Sequence, residues 1–217
     1  MDIIEELKKH DKDDLNIWIN LDDKSTKKFS KDIVKFATQN PEAVKQYCIN
    51  TKPKEFSSLS IIYEALSEYS VAWNSFLLEE VKRVISLAKS KRIKPEYIEV
   101  LEDIETEDIY SKDENLYIEI IDFITSSLHI NNDKKFNLQI LSLLDWFLIE
   151  YDEDDSISEV ENWIISIKNI AENAIQSEVR EEAKEVLENL SDNISYNDND
   201  LTLKSSSFLT KLKRLFK

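Results

Sequence analysis

The sequence predicts an all-α protein, and three observations carry that prediction: glycine is absent, asparagine stands where helices would end, and apolar residues recur at intervals of three and four. Average usage would place about 15 glycines in a chain of this length, yet the 217 residues contain none. Without glycine the chain avoids most positions with positive φ, such as the tight hairpins and bulges on which β-rich and α/β folds depend. Helix exits can instead use asparagine in a left-handed cap, and Asn40, Asn50, Asn131, Asn132 and Asn193 are placed for it. A hydrophobic fraction of 41% with 4 Trp, 9 Phe and 8 Tyr supplies a core despite 33% charged residues, which argues against disorder of the whole chain.

The elements follow in order. A short helix is expected over about 2–9 and another over about 13–21, with Leu15, Trp18 and Ile19 on one side. Ser25 is placed to cap a helix carrying Phe29, Ile33, Phe36 and Ala37, which ends near Asn40. Pro41 suits the first turn of the next helix, which holds Val44, Tyr47 and Cys48 and is broken by Pro53. Residues 57–90 read as two helices meeting near Ser70, and Pro95 begins a short one through Leu101. Leu116–Ile130 and Phe136–Tyr151 each read as a helix. The second is apolar nearly all round, the pattern of a helix covered on several sides.

The stretch from 157 to 175 carries Ile157, Val160, Ile164, Ile167, Ala171 and Ala174, a clean stripe, and the last body helix carries Val179, Ala183, Val186, Leu187 and Leu190. Val179-Arg180, Ala183, Leu187 and Leu190 are similar to the second-helix pattern of HEAT-type repeats, with 157–175 as the partner helix. The resemblance covers about 35 residues, and no second copy recurs at a period of about 40. It implies stacked antiparallel helix pairs with a concave protein-binding surface. The expected fold is thus antiparallel helix pairs arranged as an irregular, HEAT-like α-solenoid or as a multi-helix bundle. The expected organisation is one helical domain over 1–190, a polar linker over 191–206 and a basic amphipathic helix over 207–217.

Charge is uneven. The net −16 divides into +2 over residues 1–95, −10 over 96–125, +1 over 126–144, −14 over 145–200 and +5 over 201–217. So acidic a surface repels phosphate backbones, which argues against nucleic acid as a direct ligand. It favours a basic protein partner, since complementary fields speed encounter. The docking face expected on this basis comprises Asp152, Glu153, Asp154, Asp155, Glu159, Glu178, Glu181, Glu182 and Glu185. Phe208, Leu209, Leu212, Leu215 and Phe216 fall on one face of a terminal helix flanked by Lys211, Lys213 and Arg214. That helix could lie on an anionic membrane surface, enter a groove on a partner, or fold back on the acidic half.

Few parts for catalysis are present. Without glycine, phosphate-cradling loops and nucleophile elbows cannot take their usual forms. Only His10 and His129 offer imidazole, and Cys48 stands alone on an apolar stripe that reads as core. Metal sites built on His or Cys lack ligands, and no cofactor is implied. Asp145 is the one carboxylate expected to be partly buried, held by a neighbouring helix end or a cation. The opening Met1-Asp2-Ile3-Ile4-Glu5-Glu6 does not resemble a secretory leader and no run of 18 apolar residues occurs, so a cytoplasmic location is the default expectation. The expected function is non-catalytic: an acidic helical surface binding a basic protein, in the manner of an immunity or antitoxin protein that neutralises a toxic enzyme. The alternative is a peripheral membrane or scaffold adaptor anchored by the terminal helix.

Overall fold

The structure, a computed structural model, describes residues 3–10, 23–54, 57–88, 93–102, 113–149 and 159–197. Its described residues form α-helices that pack on one another, with no strand among them. Where the sequence reading expects one body over 1–190, the chain divides into two compact units, Met1–Glu105 and Thr106–Lys217. Residues 102–108 are charge-dense with Ile104 as their one aliphatic side chain, so this stretch offers little to a continuous apolar core.

In the first unit, α1 (Ile3–His10) buries Ile3 and Leu7, and α2 (Asp23–Gln39) buries Phe29, Ile33 and Ala37. α2 begins at Asp23, two residues ahead of the Ser25 cap expected from sequence. α3 (Pro41–Asn50) opens on its proline and buries Val44 and Cys48. α4 (Ser58–Tyr69) is the hub, packing on α1, α2 and the helix that follows, with Leu59, Ile62, Tyr63 and Leu66 fully buried. Ser57 fixes its start: its Oγ accepts from Leu59 N at 3.2 Å, and its own N–H donates to Ser60 Oγ at 3.0 Å, a reciprocal capping box. A 3-10 turn (Val71–Trp73) leads into α5 (Asn74–Leu87), and α6 (Ile93–Glu99) packs against α5. The expected join near Ser70 is thus present. The helix expected at 13–21 lies outside the described residues.

The second unit comprises α7 (Glu114–Ser127), α8 (Lys134–Ile149), α9 (Glu159–Asn173) and α10 (Ser177–Asn197). Asp113 caps α7, its carboxylate accepting from Leu116 N at 3.1 Å. α7 packs on α8 and α9, and α10 packs on both of these in turn, so the four helices close a ring. Tyr117 Oη donates to Phe147 O, joining the start of α7 to the end of α8, which makes that pair antiparallel. α8 and α10 run parallel: Lys134 meets Glu178 and Asp145 meets Asn189, so contacts near both ends keep the same offset of 44 residues. α10 continues to Asn197, so the first seven residues of the expected linker are helical. Ile194 falls four residues after Leu190 and neither Pro nor Gly intervenes to stop the helix.

The helix exits explain the missing glycine. Thr51, Ser70, Ala88 and Leu128, the residues closing α3, α4, α5 and α7, are all extended, with φ of −90°, −156°, −68° and −66°. No left-handed residue is needed at these four exits. Three of the asparagines meet helix carbonyls through their side chains, and Asn40, expected as a left-handed cap, has a φ of −136°. Asn40 Nδ2 donates to Phe36 O (3.3 Å), Asn50 Nδ2 to Gln46 O (2.8 Å) and Asn132 Nδ2 to Ser127 O (2.8 Å). Each bond brings a side-chain donor to a carbonyl at or near a helix end.

Candidate functional site

The first unit holds a polar cluster that sequence reasoning missed. Glu80 is only 4% exposed. Its carboxylate accepts from Tyr63 Oη at 2.5 Å, from Arg83 Nε at 2.9 Å and from Arg83 Nη2 at 2.7 Å. Arg83 Nη2 also donates to Cys48 O at 3.0 Å, so the Arg83–Glu80 pair together with Tyr63 ties α3, α4 and α5 together. The Glu80 carboxylate raises the pKa of the Arg83 guanidinium, and burial raises that of the Tyr63 hydroxyl. Burial likewise holds Cys48 as an unreactive thiol, its pKa pushed up. The Glu80 carboxylate, Tyr63 Oη and Arg83 Nε and Nη2 are thus all bonded to one another or to backbone. The cluster is a fastening of the fold.

The second unit presents a different arrangement, along the seam between α8 and α10. Glu178, Glu182, Glu185 and Asn189 stand at i, i+4, i+7 and i+11 of α10 and form one row. Lys134, Leu138 and Asp145 run along the adjoining edge of α8. At one end Lys134 Nζ contacts Glu178 Oε1 at 2.7 Å. This contact, with the backbone N–H of Glu178 at the start of α10, holds the Glu178 carboxyl down at about 2, as opposite charge and a helix N-terminus both favour the anion. At the other end Asn189 Nδ2 donates to Asp145 Oδ1 at 3.0 Å. Between them the Glu182 carboxyl is pushed upward, first by partial burial, then by Glu185 and by Asp145 from the facing helix. Acids of two helices therefore converge at the Asp145 end. Among the described residues no Lys or Arg is ion-paired with Asp145, Glu182 or Glu185. Arg180, the nearest arginine in sequence, is committed elsewhere, its Nη1 donating to Ala174 O at 2.6 Å and Ile175 O at 3.1 Å at the end of α9.

Of the expected docking face, Glu178, Glu182 and Glu185 share this seam. Glu181 lies off it and is paired with Lys184 at 2.8 Å. Glu159 opens α9, a different helix. Asp152, Glu153, Asp154 and Asp155 lie outside the described residues, as do Phe208, Leu209, Lys211, Leu212, Lys213, Arg214, Leu215 and Phe216. Among the described members of that face, Lys134 and Lys184 each neutralise one acid, Glu178 and Glu181. Asp145 is half-buried as expected, but an asparagine holds it in place of a helix end or cation. Among the described residues the most buried carboxylate is Glu80. His129, inside the helix expected over Leu116–Ile130, lies two residues beyond the end of α7, and its Nδ1 accepts from Asn131 N at 3.2 Å.

One feature of α8 departs from the expectation of a helix covered on several sides. Ile140, Leu141, Leu143, Leu144 and Phe147 are fully buried, but Trp146 is 58% exposed. The other described tryptophans, Trp73 and Trp163, are 6% and 2% exposed. Trp163 Nε1 donates to Asp122 Oδ1, so its polar edge is satisfied. The signal for Trp146 is present in the sequence: Lys135, Gln139, Ser142 and Trp146 recur at i, i+4, i+7 and i+11, a polar stripe that the surrounding leucines obscure.

No group of His, Cys, Asp or Glu among the described residues is arranged to hold a metal ion. No helix among them is long and apolar enough to cross a membrane. Comparison of the chain with protein-family models, curated proteins and solved structures finds no match.

Proposed function

We propose that this chain is an interaction protein whose acidic seam between α8 and α10 docks a basic protein surface. The observation that carries the reading is the convergence of Asp145, Glu182 and Glu185 from two helices with no ion-paired cation among the described residues. Mutual repulsion makes such a cluster unfavourable for the isolated fold, and a cationic partner would relieve it. Parallel packing in constant register makes the seam a straight rail on rigid elements, which suits recognition of a preformed surface. Within this class, the role that size and charge fit is a neutraliser of a toxic enzyme, its carboxylates covering a basic cleft.

The test is capture at low and high salt with the wild type and the D145N/E182Q/E185Q variant. A basic protein is expected to be retained at low salt, to be released as salt screens the contact, and to be lost from the variant. Equal retention by the variant overturns the reading.

A further inference from the structure

We infer that Trp146 is the anchor of this docking surface and that it stacks on an arginine guanidinium of the basic partner. The inference rests on the reading of the seam as an acidic docking face and specifies which cation the face selects. Trp146 follows Asp145 directly, about 100° further round α8, so the indole borders the end of the seam where Asp145, Glu182 and Asn189 lie. An indole left more than half in water is unfavourable for the fold alone, and its neighbours on that stripe, Gln139 and Ser142, are polar. Trp146 therefore stands as a single broad apolar plate beside carboxylates with which no Lys or Arg is ion-paired among the described residues.

That pairing of chemistries selects its ligand. The face of an indole attracts cations more strongly than any other side-chain ring. A guanidinium is planar and weakly hydrated, so it can lie flat on the ring while its edge N–H groups remain directed at carboxylates. An ammonium has no flat face to stack and holds its water more tightly. Tryptophan and arginine are also the residues enriched where binding energy concentrates at protein interfaces. A basic partner would thus seat an arginine over Trp146, with the seam carboxylates meeting its edge or an adjacent cation.

The experiment uses the full chain and two probes, nona-arginine and nona-lysine peptides, with affinities measured by calorimetry at low salt. The wild type is expected to prefer nona-arginine. Trp146→Ala should weaken nona-arginine binding by about three- to fivefold, the range of an exposed cation–π contact, and leave nona-lysine binding nearly unchanged. Glu182→Gln/Glu185→Gln should weaken both peptides, and Glu172→Gln/Glu188→Gln, with the same change in net charge, should weaken them less. If Trp146→Ala binds both peptides as the wild type does while the seam variant loses both, the anchor is refuted and the docking seam stands. If the seam variant and the Glu172/Glu188 control bind alike, the docking seam itself fails.

Discussion

The two units use acidic side chains in opposite ways. The first carries 17 basic against 20 acidic residues and takes one of those acids inside, where Arg83 and Tyr63 satisfy the Glu80 carboxylate completely. The second carries 11 basic against 24 acidic residues. Among its described residues no charged side chain is buried, and the buried polar groups are Thr125 and Asn137. An interior carboxylate must find partners or neutralise; one at the surface is free of that demand. Glu80 is therefore explained by folding. Asp145, Glu182 and Glu185 are not, because among the described residues no Lys or Arg is ion-paired with them.

This contrast can be broken by mutation. The largest effect is expected from Glu80→Ala, which strands Arg83 and Tyr63 without their acceptor. Breaking a mostly buried pair from one side costs about 3–5 kcal/mol, measured as a lower urea midpoint with loss of amide protection in α3, α4 and α5. A change below about 1 kcal/mol, the scale of a surface pair, would mean that the cluster does not hold the first unit together. The counterpart in the second unit is Asn137, whose Nδ2 donates to His129 O at 2.9 Å and whose Oδ1 accepts from Asn132 at 3.0 Å. Asn137→Ala should cost about 1–3 kcal/mol through those abandoned groups, with loss of amide protection at the α7–α8 turn.

Smaller changes sharpen the contrast. Glu182→Gln/Glu185→Gln removes a like-charge pair three residues apart and should raise stability by about 0.2–0.5 kcal/mol; a loss of stability would mean the seam acids serve the fold after all. The smallest effect is a titration. Lys134→Ala should let the Glu178 carboxyl rise from about 2 toward its ordinary value near 4.5, followed by carboxyl NMR shifts. Because the folded value lies below the unfolded one, the contribution of Glu178 is complete above about 4.5 and is lost as pH falls toward 2. Glu182 has the opposite sign: its carboxyl is raised in the fold, so protonation relieves the seam as pH falls through that raised value.

The helical class and most elements were legible because helix-period spacing and the absence of glycine are local signals. The way helices end is less legible. Asparagine suggested left-handed caps, but its amide can satisfy the same carbonyls from an extended exit, and sequence does not distinguish the two. Glu80 was invisible because, beside Glu79, it reads as a surface charge, although Glu79 pairs outward with Lys82 at 2.9 Å while Glu80 turns inward. The seam was legible only in part. The carboxylate row of α10 follows from its spacing, but which edge of α8 it meets depends on tertiary register. The same dependence hid the neutralising role of Lys134, 44 residues away from Glu178 in sequence.

The parallel course of α8 and α10 has a directional consequence. Each helix carries partial positive charge at its start and partial negative charge at its finish. Neither has a basic residue in its last turn. Lys134 opens α8 at the pole where a cation is least welcome, and Glu178 offsets it there. At the other end of the seam Asp145 stands about one turn before the finish of α8, where that backbone's partial negative charge adds to the carboxylate's, while α10 runs on to Asn197. Charge along the seam thus passes from the neutralised Lys134–Glu178 pair to acids with no ion-paired Lys or Arg among the described residues, a polarity that would give an elongated cationic ligand a preferred head and tail.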